Sequence, residues 1–228
     1  MQKGICHIAQ IPLRGEPRSG SEMVSQLLFG ETYMVLKQEG DWFFIKMDFD
    51  GYEGWLSKSS VYWSESKPIA IQTDLYFNSI NALTSDVIIS SMGSEIFVSV
   101  EEGRKKSFDD LAKSFLGSPY LWGGRHFSGI DCSGYVQVVY KCLGIKLPRD
   151  ASQQQKVGKS LSFDNLFTGD LVFFTKNERI VHVGMVLGQG LIIHAHGSVR
   201  IDKLTKSGII NSDTGEQTHE YHSAKRLR

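Results

Sequence analysis

The chain of 228 residues lacks an excess of either charge, a long apolar run and an apolar N-terminal segment. Its 25 basic and 25 acidic residues give a formal net charge of zero, so no electrostatic argument favours a nucleic acid or an anionic membrane as partner. No run approaches the roughly 18 apolar residues of a membrane-spanning helix. The first ten residues contain one lysine and no apolar core, unlike a signal peptide, so we expect a cytoplasmic protein if Met1 is the native start.

Cysteine is also scarce. Cys6, Cys132 and Cys142 are odd in number, and no two of them have the Cys-x-x-Cys spacing. The sequence therefore predicts neither a disulfide framework nor a cysteine-rich zinc site, which agrees with a reducing compartment.

The first 65 residues have the pattern of a small all-β domain. Short alternating or apolar runs are separated by glycine, aspartate and serine, and Asp50-Gly51 is a turn signal. Strands this short and closely spaced favour a small barrel. The runs are residues 5–11, 23–29, 32–37, 42–47 and 54–56.

Residues 66–106 form a connecting region with two open interpretations. At an offset of 63 residues, Val24 coincides with Val87, Gly30 with Gly93 and Val35 with Val98. The segment is either a degenerate copy of two barrel strands or a chance match, since β-rich segments share composition.

From residue 107 the apolar pattern changes to a helical period. Ser107 and Asp110 have the spacing of a capping box, and Gly117 ends this first helix. A second helix is predicted from Cys132 to Gly144. Strands are predicted at 170–175, 180–187, 191–196 and 220–227. Helices followed by an antiparallel meander indicate an α+β domain over residues 107–228.

Cys132 has the features of a nucleophile. Asp131 is a favoured N-cap residue, which makes Cys132 the first helical residue. Free N–H groups and the helix dipole there stabilise an anion, so we expect the thiol pKa to fall below about 8.5 and an oxyanion to be held nearby. A buried structural cysteine is the alternative, and Cys142, among apolar helix positions, fits that description.

His182 is the candidate base. It shares one face of a predicted strand with Ile180 and Gly184, and Gly184 would leave space for a substrate or a helix. Taken alone, such a histidine is more often a satisfied core residue. The presence of Cys132 favours a base.

His194 and His196 follow on the next predicted strand, after a turn at Gly188-Gln189-Gly190. If the two strands pair symmetrically about residue 188, His194 lies opposite His182, and if they pair about residue 189, His196 does. Geometry alone does not choose between the two histidines. One of the two could orient the base through a ring-to-ring hydrogen bond. The three histidines could instead bind a metal, although no carboxylate lies at a spacing from them that is typical of a metal ligand.

Six motifs in residues 107–228 resemble, in order, those of the NlpC/P60 cysteine peptidases. The N-terminal part resembles a bacterial SH3 (SH3b) domain through residues 26–31 and 50–55. The six motifs are Tyr-Leu-Trp-Gly-Gly from Tyr120, Asp-Cys-Ser-Gly-Tyr from Asp131, Leu-Pro-Arg-Asp from Leu147, Gly-Asp-Leu-Val-Phe-Phe from Gly169, His-Val-Gly-Met from His182 and Ile-His-Ala from Ile193.

The resemblance implies a papain-like core that cleaves cell-wall peptides without a cofactor or a metal. It assigns the nucleophile to Cys132, the base to His182 and the orienting role to His194, and it leaves His196 as a bystander. These roles rest on the analogy with the family.

Asp150 departs from the general family pattern, which has serine or threonine there. The aspartate resembles the γ-D-glutamyl-L-diamino-acid endopeptidases, in which an acidic residue binds the free amino group of an N-terminal L-alanine. A carboxylate suits an ammonium group. The next residue of this chain is Ala151, where some relatives have a serine, so one polar substrate contact is expected to be missing. The other expected substrate-lining residues are Tyr120, Asp131 and Ser133, with Tyr52 and Glu31 from the SH3b domain.

The resemblance therefore predicts hydrolysis of the bond between γ-D-glutamate and the next diamino acid in murein peptides, in cell-wall recycling. Two alternatives are a non-catalytic module that binds cell-wall peptides and an amidase or acyltransferase on the same fold. The sequence leaves open whether the diamino acid is lysine or diaminopimelate.

Overall fold

The computed structural model describes residues 2–81, 83–97 and 106–227. Its α-helices are α1 (Phe108–Ser114), α2 (Cys132–Cys142) and α3 (Ala151–Gln154). Its strands are β1 (Lys3–Ile5), β2 (Gln10–Arg14), β3 (Met23–Leu28), β4 (Thr32–Glu39), β5 (Trp42–Met47), β6 (Glu53–Ser57), β7 (Ala70–Ile71), β8 (Tyr76–Ile80), β9 (Val87–Ser91), β10 (Glu95–Ile96), β11 (Arg125–His126), β12 (Gly129–Ile130), β13 (Lys159–Leu161), β14 (Leu171–Lys176), β15 (Arg179–Gly188), β16 (Leu191–His196), β17 (Ser198–Thr205), β18 (Gly208–Ile210) and β19 (Gln217–Arg226).

The N-terminal strands form one six-stranded antiparallel sheet in the order β1-β4-β5-β6-β2-β3. The apolar run at 5–11 is divided between two strands, because β1 ends at Ile5 and β2 begins at Gln10. Inward-facing apolar side chains form a core of their own, as expected for a small barrel. This core contains Cys6, Ile11, Leu13, Leu27, Tyr33, Phe43, Ile45, Met47 and Leu56.

The described strands of the connecting region pair in a similar way to strands of the first sheet. β7 pairs with β10 as β1 pairs with β4, and β8 pairs with β9 as β2 pairs with β3. The turn glycines Gly30 and Gly93 both have a left-handed backbone, with φ of 79° and 87°. Val98, in the sequence comparison, lies outside the described residues. These pairings agree with a degenerate copy of the barrel strands, which stays a prediction.

The C-terminal region confirms the α+β class. Its sheet has the order β13-β19-β14-β15-β16-β17-β18, and β18 also pairs with β19, so the sheet closes on itself. Helix α2 packs against the outside of this sheet in the main core. The sequence prediction missed β13, β17, β18 and α3, which are short or polar.

Helix α1 begins as predicted. The Ser107 side chain accepts a hydrogen bond from the Asp110 backbone, and the Asp110 carboxylate accepts one from the Ser107 backbone. Among the described residues, no helix has the length and apolar character needed to cross a membrane.

A buried ionic network joins the barrel to the C-terminal region. Glu31 is fully buried and accepts hydrogen bonds from Arg125 at 2.7 and 2.9 Å and from Lys141 at 2.7 Å. Lys141 also pairs with Glu95 of the connecting region at 2.8 Å. Three segments of the chain therefore meet at the Lys141 ammonium, and the Glu31 carboxylate ties the barrel to α2.

Candidate active site

Cys132 is the first residue of α2, as the sequence predicts. Asp131 is the N-cap, and its Oδ1 accepts a hydrogen bond from the Gly134 backbone at 2.7 Å. A β-carbon on Gly134 would lie 2.3 Å from the Gly124 carbonyl oxygen, so glycine permits the Tyr-Leu-Trp-Gly-Gly loop to pack against the helix start. The local sequence thus places the thiol at a helix N-terminus beside this loop.

Arg149 holds the carboxylate of Asp131 in place. Its guanidinium donates to both carboxylate oxygens, at 3.0 and 2.6 Å, and to Ser133 Oγ at 2.9 Å. It also donates to Ser25 Oγ of the barrel at 3.2 Å. Asp131 and Ser133 line the cleft at Cys132, yet both are already engaged by Arg149.

The thiol pKa differs from the expectation. Burial raises the pKa of Cys132 to about 12, and the charge of Asp131 acts in the same direction. The backbone N–H groups of Val183 and Ser133 and the charge of Arg149 lower it without compensating. The predicted lowering at the helix N-terminus was therefore wrong, because the thiol is 6% exposed and desolvation outweighs the N–H groups.

The structure brings His182 and His194 together. Nε2 of His182 lies 2.8 Å from Nδ1 of His194, and both rings are buried. Strand pairing is centred on residue 189, with Gly184 opposite His194, so this contact is diagonal across the ladder. The His196 ring lies 6.4 Å from the His182 ring, centroid to centroid.

Gly184 does not leave the open space that the sequence predicts. A β-carbon there would lie 2.9 Å from Cβ of His194 and 2.8 Å from Cδ1 of Ile192. The space at Gly184 is therefore filled by the neighbouring strand rather than left for a substrate or a helix.

Two residues that the sequence prediction missed support the imidazole pair. Nε2 of His194 lies 3.0 Å from Oδ2 of Asp202, which is 1% exposed. His219 stacks on His182, with ring centroids 4.0 Å apart and planes at 23°. Asp202 alternates with apolar residues in Val-Arg-Ile-Asp-Lys-Leu, which was an available strand signal.

The surroundings keep the imidazoles neutral. Burial lowers the pKa of His182 well below its ordinary value, and His194, His219 and His196 lower it further. Burial likewise lowers the pKa of His219, to about 4. Within the part of the chain that the structure describes, no group of three or more histidine, cysteine, aspartate or glutamate side chains could hold a metal ion.

A cleft of about 550 Å³ opens at Cys132 and is shared between the two domains. Tyr120, Asp150 and Tyr52 line it as predicted, and the Tyr52 hydroxyl donates to Asp150 Oδ1 at 3.4 Å. Burial raises the pKa of Asp150, although Arg149 and Tyr52 act in the opposite direction. Ser152 lines the same cleft one residue beyond Ala151.

The structure corrects the prediction for Glu31. Both of its oxygens are bound to buried cations, and it does not line the cleft. The barrel supplies Glu22, Val24 and Tyr52 to the cleft instead, and Glu22 Oε1 accepts a hydrogen bond from Trp122 Nε1 at 2.6 Å. The sequence offered no means of choosing Glu22 over Glu31, because the choice depends on how the domains dock.

Two family models match the chain. The model described as the NlpC/P60 family matches residues 117–217, and the model described as a bacterial dipeptidyl-peptidase Sh3 domain matches residues 13–61. The γ-D-glutamyl-L-lysine dipeptidyl-peptidase of Bacillus subtilis is 31% identical over 213 residues, which cover 75% of this chain and 71% of that protein. The chain belongs to the NlpC/P60 family.

Other comparisons agree with this NlpC/P60 assignment. A γ-D-glutamyl-L-lysine dipeptidyl-peptidase of Bacillus cereus is 27% identical, covering 88% of this chain and 76% of its own. The murein DD-endopeptidase MepS/murein LD-carboxypeptidase of Escherichia coli is 37% identical over 54% of this chain and 63% of its own. The crystal structure of an NlpC/P60 family protein from Bacillus cereus has a TM-score of 0.84 at 21% identity and covers 99% of both chains.

These findings confirm the predicted fold, a papain-like NlpC/P60 domain preceded by a bacterial SH3 domain. The NlpC/P60 match contains Cys132, His182 and His194, and it also contains Asp202. Both Glu22 and Tyr52 lie within the SH3 match. The cleft therefore lies between the two matched domains.

Proposed function

We propose that this protein is a cysteine peptidase that hydrolyses the bond between γ-D-glutamate and the following L-diamino acid in murein peptides with a free N-terminal L-alanine. Family membership and relatives that act on peptidoglycan peptides support the coarser activity, hydrolysis of a peptidoglycan peptide. The finer substrate rests on the residues that line the cleft.

The resting site holds a neutral thiol and a neutral imidazole, since burial raises the pKa of Cys132 and lowers that of His182. His182 therefore acts as a general base, taking the Sγ proton as sulfur attacks the γ-carbonyl carbon. Catalytic hydrogen bonds are often long before substrate binds, and this step requires the thiol and the base to approach each other in the substrate complex.

The first turn of α2 supplies the oxyanion site. The Ser133 N–H lies beside the thiol, while the Gly134 N–H is occupied by Asp131. Tyr120 faces the same region, since the charges of Cys132 and Asp131 add to burial in raising the pKa of its hydroxyl. These donors hold the tetrahedral oxyanion, the protonated His182 gives its proton to the leaving amine, and water then hydrolyses the thioester.

Two carboxylates that line the cleft support the proposed substrate. Asp150 and Glu22 are carboxylates from different domains that line one cleft with Tyr52 and Cys132. The lining guanidinium of Arg149 is engaged by Asp131 and Ser133. An ammonium group, as in a peptide with a free L-alanine amine, is therefore a favoured ligand beside these carboxylates.

The primary test is incubation of the full chain with L-Ala-γ-D-Glu-L-Lys and with L-Ala-γ-D-Glu-diaminopimelate, measuring released L-Ala-γ-D-Glu. We expect release from the wild type and none from Cys132→Ala. Binding of the peptides without release would favour the non-catalytic module, and release by Cys132→Ala would exclude the nucleophile.

The free-amine requirement has its own test. The N-acetylated peptide should be a poor substrate for the wild type. Asp150→Asn keeps the shape of the side chain but removes its charge, so this variant should lose most of the preference for the free-amine peptide. Asp164→Asn removes one exposed carboxylate paired with Lys206, outside the cleft residues, and serves as the charge control. Equal turnover of both peptides by the wild type would overturn the requirement.

We also propose that the protein acts in the cytoplasm on peptides released from the wall. The three cysteines are free, which fits a reducing compartment. Detection of the native protein in fractionated cells tests this, and its presence only outside the membrane would contradict it.

A further inference from the structure

Three buried side chains form a line inside the C-terminal sheet. His182 on β15 contacts His194 on β16 at 2.8 Å, and His194 contacts Asp202 on β17 at 3.0 Å. Their exposed fractions are 4%, 0% and 1%, so water competes little for these contacts. Each contact uses a specific ring nitrogen, which makes the protonation of one ring dependent on that of the next.

The carboxyl group of Asp202 is held in its charged form. Burial alone raises the pKa of its carboxyl, but hydrogen bonds from His194, from the Arg200 guanidinium and from the Ser212 backbone hold it below the ordinary value. Arg200 donates to both oxygens, at 2.8 and 2.9 Å, and Ser212 N–H donates to Oδ1 at 2.8 Å. Asp202 is therefore an ionised acceptor at neutral pH.

Ionised Asp202 leaves His194 one favourable neutral tautomer. The nitrogen that faces the carboxylate, Nε2, must carry the proton, since a lone pair there would face a negative charge. Nδ1 of His194 then has the lone pair and accepts from His182. His182 must in turn carry its proton on Nε2, which leaves the lone pair on Nδ1.

We propose that Asp202 is a positioning residue that acts through His194 to select the tautomer of His182 whose Nδ1 is free to take a proton. The inference rests on the proposed function for its catalytic consequence, but not for the tautomer itself. The machinery would thus extend from a thiol and two imidazoles to a carboxylate on β17.

The tautomer is measured without any substrate. Long-range proton–nitrogen NMR of the full chain with ¹⁵N-labelled histidine, at about pH 8 where histidine is neutral, reports which nitrogen of each ring is protonated. We expect Nε2–H on both His182 and His194 in the wild type. A proton on Nδ1 of either ring would overturn the proposal, whether or not the protein cleaves murein peptides.

Kinetics test the consequence. Asp202→Asn should lower kcat on the order of a hundredfold with little change in KM, less than the ~10⁴-fold loss known where a carboxylate contacts the base directly. Its NMR spectrum should show mixed tautomers. An unchanged kcat in a folded Asp202→Asn protein would overturn the proposal.

Two controls separate positioning from general destabilisation. Asp213→Asn removes another carboxylate paired with Arg200, 76% exposed, and should change kcat by less than about twofold. In a His194→Asn background, adding Asp202→Asn should cost less than about a further twofold, because the connecting ring is gone. A full additional loss would mean that Asp202 acts by another route. Inactivity of the wild type would instead end the proposed function and leave the NMR result standing.

Discussion

The hydroxyl of Tyr52, from the SH3 domain, donates to Oδ1 of Asp150, which caps α3 in the NlpC/P60 domain, at 3.4 Å. The two residues are 98 positions apart in the chain and meet on the wall of the catalytic cleft. The wall of this cleft is therefore shared between the domains.

Removing this hydroxyl should weaken substrate binding. Tyr52→Phe should raise KM about fivefold, the effect of one hydrogen bond of about 1 kcal/mol, with kcat little changed because the hydroxyl contacts Asp150 rather than the thiol. Steady-state kinetics on the free-amine peptide measure this. Tyr62→Phe, whose hydroxyl donates to Leu83 outside the cleft, is the matched control and should leave KM unchanged.

Neutralising the buried carboxylate at the domain junction should destabilise the protein. Glu31→Gln leaves the Arg125 guanidinium buried without its counter-charge, so we expect a loss of about 3–5 kcal/mol in the free energy of unfolding. Denaturant unfolding measures it. Glu53→Gln, in an exposed pair with Lys46, should cost about 0–1 kcal/mol, and equal losses in both variants would contradict the prediction.

The same carboxylate gives the stability a pH dependence. Burial raises the pKa of Glu31, but Arg125 and Lys141 outweigh it and lower the value to about 2 from 4.5. A lowered folded-state pKa stabilises the protein above the unfolded value. This stabilisation should therefore be lost as the pH falls from about 4.5 towards 2, and the loss should be smaller in Glu31→Gln.

Alkylation of Cys132 should reveal the neutral resting pair. Because burial raises the thiol pKa to about 12, the thiolate fraction grows with pH across the neutral range. The rate of modification by iodoacetamide, followed by mass spectrometry of the Cys132 peptide, should rise steadily between about pH 6 and 9. A plateau at neutral pH, as a thiolate–imidazolium pair produces, would refute this. Cys132→Ala corrects for reaction at Cys142.

A methyl group at Gly184 should displace the orienting histidine. Gly184→Ala would place a β-carbon 2.9 Å from Cβ of His194, so we expect a loss of about 1–3 kcal/mol in stability together with a lower kcat. Thermal unfolding and kinetics measure the two effects. Gly20→Ala has its nearest contact at 3.7 Å, to the end of Arg18, and should change neither. Normal activity in Gly184→Ala would show that His194 tolerates displacement.

Much of the architecture follows from contacts between near neighbours in the sequence. The Ser107–Asp110 capping box and the Asp131 N-cap were predictable because each joins residues three positions apart. Strands whose residues alternate between apolar and polar, or are continuously apolar, were also predicted, because that pattern too depends only on near neighbours in the sequence. β17 was missed although Val199 to Asp202 alternate between apolar and polar, because the adjacent polar residues Asp202 and Lys203 interrupt that alternation.

The sequence by itself determined that Cys132 begins a helix and that a strand carries His182, because caps and strand periodicity depend on local chain geometry. Only the tertiary structure decided that His194 rather than His196 contacts His182, that Glu22 rather than Glu31 lines the cleft, and that burial raises the pKa of the Cys132 thiol. Those outcomes depend on strand register, domain docking and burial, each of which joins residues distant in the chain.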